Sequence, residues 1–186
     1  MRKLILAAVI ALPTNVVLAD SYTIDPEHTY PNFMVSHLGF STMHGRFNKS
    51  SGKLEMDVAK KTGSIEIVID AASIDTGHAK RDQHLKSPDF FNAGEFPEIK
   101  FKSTKVTFTG DKVTSVDGNL TILKTTKPVT LTVTNMYCGV HAMNKKNVCG
   151  FDATAKIKRS DFGINYALPA IGDDVALNLE VEAVKN

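Results

Sequence analysis

Val175-Ala176-Leu177-Asn178-Leu179-Glu180-Val181-Glu182-Ala183 keeps one apolar face over nine residues. Alternation of this period is the mark of a half-buried β-strand. The same pattern recurs in Ile65-Glu66-Ile67-Val68-Ile69 and in Val129-Thr130-Leu131-Thr132-Val133. Weaker versions run through Tyr22–Asp25, Phe33–Phe40, His44–Asp57, Ile99–Phe108, Val116–Ile122 and Ala153–Lys158. Thr, Val and Ile dominate these runs, as a pleated surface favours. Short turn signals separate them: Ser50-Ser51-Gly52, Lys61-Thr62-Gly63, Thr109-Gly110-Asp111 and Asp117-Gly118-Asn119. Many strands with short polar connections imply antiparallel meanders, and closure into a barrel removes their exposed edges. The chain therefore reads as all-β, with an antiparallel barrel favoured over a sandwich, which the pattern alone also allows.

One stretch breaks the rhythm. From Ser73 to Asn92 the alternation vanishes and Arg81, Asp82, His84, Lys86 and Asp89 crowd together. Asp75 or Thr76 is expected to cap a short helix over Gly77–Lys86, which must end before Ser87-Pro88. Ser87 and Pro88 would then start a second turn carrying Phe90 and Phe91.

Composition narrows the function. Met1-Arg2-Lys3, the apolar run Leu4–Leu12 and Val17-Leu18-Ala19 have the layout of a secretory signal peptide cut after Ala19. Its nine-residue apolar run is too short to span a bilayer. Its removal takes away Arg2 and Lys3 and no acid, so 22 basic and 20 acidic residues become 20 and 20. A neutral chain has no electrostatic footprint for nucleic acid. No later stretch is long and apolar enough to span a membrane. Residues 20–186 are expected to form one soluble exported domain.

Cys138 and Cys149 form an even pair in an exported chain, which favours a disulfide pinning a hairpin loop. The alternative, a metal pair with His141, lacks a fourth ligand. His37 shares a strand face with Phe33 and Val35 and reads as a core histidine in need of a partner. Asp75, Arg81, Asp82 and His84 supply residue types for acid–base work, yet no nucleophile motif or phosphate loop accompanies them. No catalytic residue and no metal ligand is assigned.

The motifs also form an ordered set: Ile24-Asp25 with His28, Phe33-Met34-Val35-Ser36-His37-Leu38-Gly39, and Gly45-Arg46-Phe47. Ser73-Ile74-Asp75-Thr76-Gly77, Arg81-Asp82-Gln83-His84-Leu85-Lys86-Ser87-Pro88-Asp89-Phe90 and Phe96-Pro97-Glu98-Ile99-Lys100-Phe101 continue it. Gly118-Asn119-Leu120-Thr121-Ile122, Thr126-Lys127-Pro128-Val129, Cys149-Gly150-Phe151 and Arg159-Ser160-Asp161-Phe162-Gly163 complete it. Read together, they resemble the YceI-like polyisoprenoid-binding family of exported bacterial proteins. Tyr22 stands where that family often has Trp, Thr29 where it usually has Ser, and Lys124-Thr125 where Gly-Val is frequent. Pro31 would start the strand later or make it edge-like.

The resemblance implies a lipocalin-like barrel of about eight strands, with a pore for a polyisoprenoid or isoprenoid-quinone-type lipid and no other cofactor. The alternating face expected to hold the lipid tail comprises Phe33, Val35, Ile65, Ile67, Ile69, Ile99, Phe101, Val129, Leu131, Leu177 and Leu179. Carried by the motif match, His37, Asp75, Thr76, Arg81, Asp82 and His84 are candidates for the head group. Phe90, Phe91 and Phe162 would be a flexible apolar rim. Arg81 and Asp82 could instead pair and latch the helix to Arg159 or Asp161. The expected role is a periplasmic carrier or store. An enzyme acting on such a lipid, and a surface interaction protein without one, are the competing readings. Pairing of two barrels is compatible with the sequence.

Overall fold

The computed structural model describes residues 19–186, so the expected signal segment lies outside the described residues except for Ala19. Eleven strand segments follow in chain order: β1 (Asp20–Ile24), β2 (Tyr30–His37), β3 (Ser41–Phe47), β4 (Ser50–Asp57), β5 (Thr62–Asp70) and β6 (Ile74–Asp75). After the helix α1 (Ala79–Leu85) come β7 (Glu98–Thr109), β8 (Lys112–Ile122), β9 (Thr125–Val140), β10 (Asn147–Lys158) and β11 (Ile171–Lys185).

These segments make eight staves. β1 and β2 lie end to end on one edge of β11, with Ile24 opposite Ala183 and Tyr30 opposite Glu180. β3 and β4 are likewise one stave broken at Asn48 and Lys49, and β5 and β6 one stave broken at residues 71–73. Each stave pairs antiparallel with its chain neighbours, and β11 pairs back onto β1 and β2. The ring is the all-β antiparallel barrel expected, and closure pairs edges that would otherwise recruit another chain. Among the described residues no helix is long and apolar enough to cross a membrane.

Thr29 explains how the first break is tolerated. The chain leaves the ladder at residues 25–29, which would orphan the main chain of Glu182. Asp25 N–H donates to the Glu182 carbonyl at 2.8 Å, and the Thr29 hydroxyl accepts from Glu182 N–H at 3.2 Å. Thr29 is fully buried, so a side chain replaces a ladder partner. Pro31 falls inside β2, opposite Leu179, and the strand starts one residue before it rather than later.

Two expected turns prove to be strand. Gly52 lies within β4 and Gly118 within β8, because each lets another group approach closely. A Cβ on Gly52 would overlap the Glu66 carbonyl, and one on Gly118 would overlap the Phe101 ring. The helix is also shorter than expected. Gly77, at φ +74°, turns the chain, and His78 caps α1 by accepting from Arg81 N–H at 3.3 Å. Asp75 accepts from Gly77 N–H ahead of the helix instead of capping it. Ser87 starts the second turn as expected, its carbonyl accepting from Phe90 and Asn92.

Cys138 and Cys149 face each other across β9 and β10 and are disulfide-bonded, which removes both from any metal set with His141. They lie toward the end of the barrel that holds Asp20 and Lys185. There Lys185 pairs with Asp20 at 2.6 Å.

Replacing the fully buried Thr29 with Val should leave the part-buried Glu182 N–H without its partner and cost about 1–3 kcal/mol. Urea unfolding of the two proteins measures this; a difference under about 0.5 kcal/mol would mean the hydroxyl is not the ladder's substitute.

Candidate functional site

The inward faces divide along the barrel axis. Toward Asp20 and Lys185, Tyr22, Leu54, Met56, Val113, Val116, Met136 and Ala183 are buried and pack together as a solid plug. Toward the other end, the same strands line a cavity of about 190 Å³. The change of use falls at one level around the ring: Val116 is plug and Leu120 is wall, while Met136 is plug and Leu131 is wall. Likewise Ala183 is plug and Val181 is wall. The plug forms a floor, and the surface above it is apolar. An apolar hole of roughly 150 Å³ already suffices to admit a benzene-sized guest and stay dry without it.

Of the expected tail residues, Phe33, Val35, Ile67, Ile69, Ile99, Phe101, Val129, Leu131, Leu177 and Leu179 line this cavity. Ile65 packs against the buried cluster instead, two residues along β5 from Ile67 and on the floor side of it. Val175, Val181, Leu120 and Ile122 also belong to the wall. Extending the alternation from Leu177 in both directions finds Val175 and Val181. Ile157 joins them from β10, Ile171 from the first position of β11, and Ile164 from the connection between those strands, where no alternation marks it.

Two glycines determine how the aromatic wall residues lie. The space where a Cβ of Gly45 would sit is filled by the Phe33 ring, and that of Gly118 by the Phe101 ring. Both rings therefore lie along the wall instead of crossing the lumen.

The mouth is roofed by the helical insertion. Leu85, Phe90 and Phe91 reach the cavity. Phe91 meets Phe47 edge-on at 5.4 Å, Phe47 meets Phe33 at 5.9 Å, and Phe90 packs on Tyr166 at 5.3 Å. Phe162, expected as flexible rim, is instead a buried core side chain at 2% exposure. Its place in the short helical turn Arg159–Phe162 carries it inward.

The polar candidates do not converge on the cavity. Thr76 N–H and its hydroxyl both donate to one Asp82 oxygen, at 3.0 and 2.5 Å. Arg81 donates to the Thr76 hydroxyl and carbonyl, each at 2.7 Å. The latch thus closes on Thr76 within the insertion, not on Arg159 or Asp161. His84 pairs with Asp89 at 2.7 Å and stacks edge-on against Phe90 and Tyr166. Asp75 is held by Gly77 N–H and the Asn48 amide, which keep its carboxyl below the usual carboxylate range. With Thr76 it borders a shallow outer groove that includes His44 and Arg46. His37 is half-buried near the rim, opposite Ser41 and Ile171, and outside the cavity wall.

Among the described residues, the one charged side chain in the cavity wall is Arg159. It is 7% exposed, and its guanidinium donates to the carbonyls of Gly172, Ile164, Tyr166 and Ile171 at 2.8 to 3.2 Å. Burial lowers its pKa, and the nearby Asp173 carboxylate opposes that shift. Four carbonyl acceptors satisfy the buried cation and tie the 164–172 segment over the mouth. Asp173 holds the same corner by accepting from Ser160 N–H and Oγ at 2.9 and 2.8 Å. These bonds, the main-chain one foremost, depress its pKa. The Thr29 hydroxyl, also in the wall, is spent on the Glu182 main chain.

Comparison with known proteins places this architecture. A family model described as the YceI-like domain matches residues 22–183. A protein of Shewanella denitrificans named UPF0312 protein is 39% identical over 184 residues, covering 97% of this chain and 95% of its own. The crystal structure of Burkholderia cenocepacia BcnA superposes with a TM-score of 0.70 at 25% identity, over 86% of this chain and 98% of that one. A polyisoprenoid binding domain from Saccharophagus degradans, implicated in plant cell wall breakdown, shares the fold at TM-score 0.65 and 16% identity. It is matched over 89% of this chain and 98% of its own.

Gly118→Ala should displace the Phe101 ring into the lumen and destabilise by about 1–3 kcal/mol. A crystal structure of the variant would show the ring turned inward; an unmoved ring would refute the role given to the glycine. Asp173→Asn should lower stability at neutral pH. Because the folded pKa lies below the unfolded one, the stabilisation is whole above about pH 4 and fades as pH falls through the folded value. Thermal melts of both proteins from about pH 7 down to pH 2 should therefore converge. A gap independent of pH would contradict the assignment.

Proposed function

The chain belongs to the YceI-like family, and on that footing we propose that its cavity takes up the tail of a polyisoprenoid or isoprenoid-quinone-type lipid, as a carrier or store. The observation that carries this reading is the apolar tube itself, floored at one end and roofed by Leu85, Phe90 and Phe91 at the other. Each buried methylene contributes about 0.8 kcal/mol, so a five-carbon isoprene unit contributes roughly 4 kcal/mol before ordering costs. The Saccharophagus domain, named for polyisoprenoid binding, lends support through its shared fold.

Binding without turnover fits the wall, where the charged Arg159 and the hydroxyl of Thr29 are both committed to main-chain partners. The disulfide suits an oxidising compartment, and with the leader pattern of residues 1–19 it supports a periplasmic setting.

Organic extraction of natively purified protein followed by mass spectrometry should release a prenyl or quinone-type lipid. Leu131→Trp, which fills the lumen above the floor, should weaken uptake of a prenyl alcohol by more than about ten-fold while costing under about 3 kcal/mol of stability. A protein that arrives ligand-free and also ignores prenyl alcohols and quinones in titration would overturn the proposal. A variant that binds as the parent does would move the site out of the tube.

A further inference from the structure

On the outer face, away from the lumen, the Asp25–His28 motif meets Glu182 of β11. Among the described residues only here do three potential metal-binding side chains converge, their donor atoms all within 4.8 Å of one another. The donors come from chain segments more than 150 residues apart, joined by the break between β1 and β2. That break holds them in place. Asp25 N–H and the Thr29 hydroxyl both bind the Glu182 carbonyl, and Glu182 N–H returns to Thr29. The barrel closure therefore fixes the distance between the loop and the strand.

The side chains are only partly spent. Asp25 uses one oxygen on Glu27 N–H at 2.9 Å and turns the other to His28 Nδ1 at 2.9 Å. The Glu182 carboxylate lies beside that pair, and among the described residues its hydrogen bonds are made by its main chain, none by its carboxylate. The site opens into a groove bordered by His28, Tyr30, Tyr137, His141 and Glu182, so an ion and its remaining waters have access.

We propose that Asp25, His28 and Glu182 form a surface site for a zinc-class divalent cation. The metal takes the place of the proton shared by His28 and Asp25. Zinc bonds of about 2.0–2.2 Å to nitrogen and oxygen set neighbouring donors about 3.3 Å apart in a tetrahedron. The Asp25–His28 pair must therefore open by a few tenths of an ångström, and Glu182 must close by side-chain rotation alone. The imidazole donor selects zinc-like ions over calcium or magnesium, which favour oxygen ligands. Water completes the coordination, and the displaced imidazole proton leaves to solvent. The cation would clamp the one break in the β1–β2 stave onto β11, independently of what the tube holds.

The test is calorimetric titration of chelator-stripped full-length mature protein with zinc chloride near neutral pH, repeated with calcium chloride. The expected result is saturable uptake of one zinc per chain and none of calcium, with a rise in melting temperature. His28→Ala and Glu182→Gln, both at solvent-accessible positions, should each weaken uptake by at least about ten-fold. Their metal-free melting should stay near that of the parent, and His44→Ala on the neighbouring outer groove should bind as the parent does. Absence of saturable zinc uptake overturns the proposal, and so does uptake that survives either His28→Ala or Glu182→Gln. Equal loss in His44→Ala overturns it too, since the zinc would then be scavenged by exposed histidines at large. None of these outcomes bears on lipid binding, which is read by extraction and prenyl titration.

Discussion

Closure of the ring on β11 is the constraint on which the rest depends. One edge of this strand carries two partners in succession, β2 along residues 171–180 and β1 along residues 183–185. With the edges paired, every second side chain of every stave must face the same enclosed space. A one-residue slip at this seam would turn the whole apolar face of β11 outward. Thr29 and Asp25 guard against that slip, because they bind the Glu182 main chain where the ladder is interrupted.

An enclosed apolar space can be filled or left open, and this barrel does both. Near Asp20 and Lys185, Met56, Val113, Val116 and Met136 are buried together in the core cluster. Above them, glycines replace side chains beside two of the wall phenylalanines, so Phe33 and Phe101 fold back against Gly45 and Gly118. The lumen is thus held open by where the rings are allowed to rest, not by a shortage of hydrophobic residues. Arg159 closes the far end in a complementary way, a buried cation whose donors are met by the carbonyls of the segment it pins.

Alternation alone revealed the strands and most of the wall, since period-2 patterning is imposed locally by the pleat. It could not separate Ile65 from Ile67, because floor and wall differ in height along the axis and not in which face they occupy. Gly52 and Gly118 misled for a related reason: a glycine that frees a turn and one that admits a ring look the same in sequence. The head-group candidates are a different case. Asp75, Thr76, Arg81, Asp82 and His84 are the right residue types, but their neighbours within the insertion satisfy them. Arg159 carries no sequence signal for its role, because the four carbonyls around it come from residues 164–172 and depend on the folded segment.

The central claim is that a solid floor and an open apolar tube share one barrel, and that the tube is the ligand site. A crystal structure of the natively purified, lipid-loaded protein tests it directly. The account predicts continuous chain-like density above Val116 and Met136, running past Leu131 and Phe101 toward Phe90 and Phe91. Density along the outer wall with an empty lumen, or density threading through the Val113–Met136 plug, would contradict it.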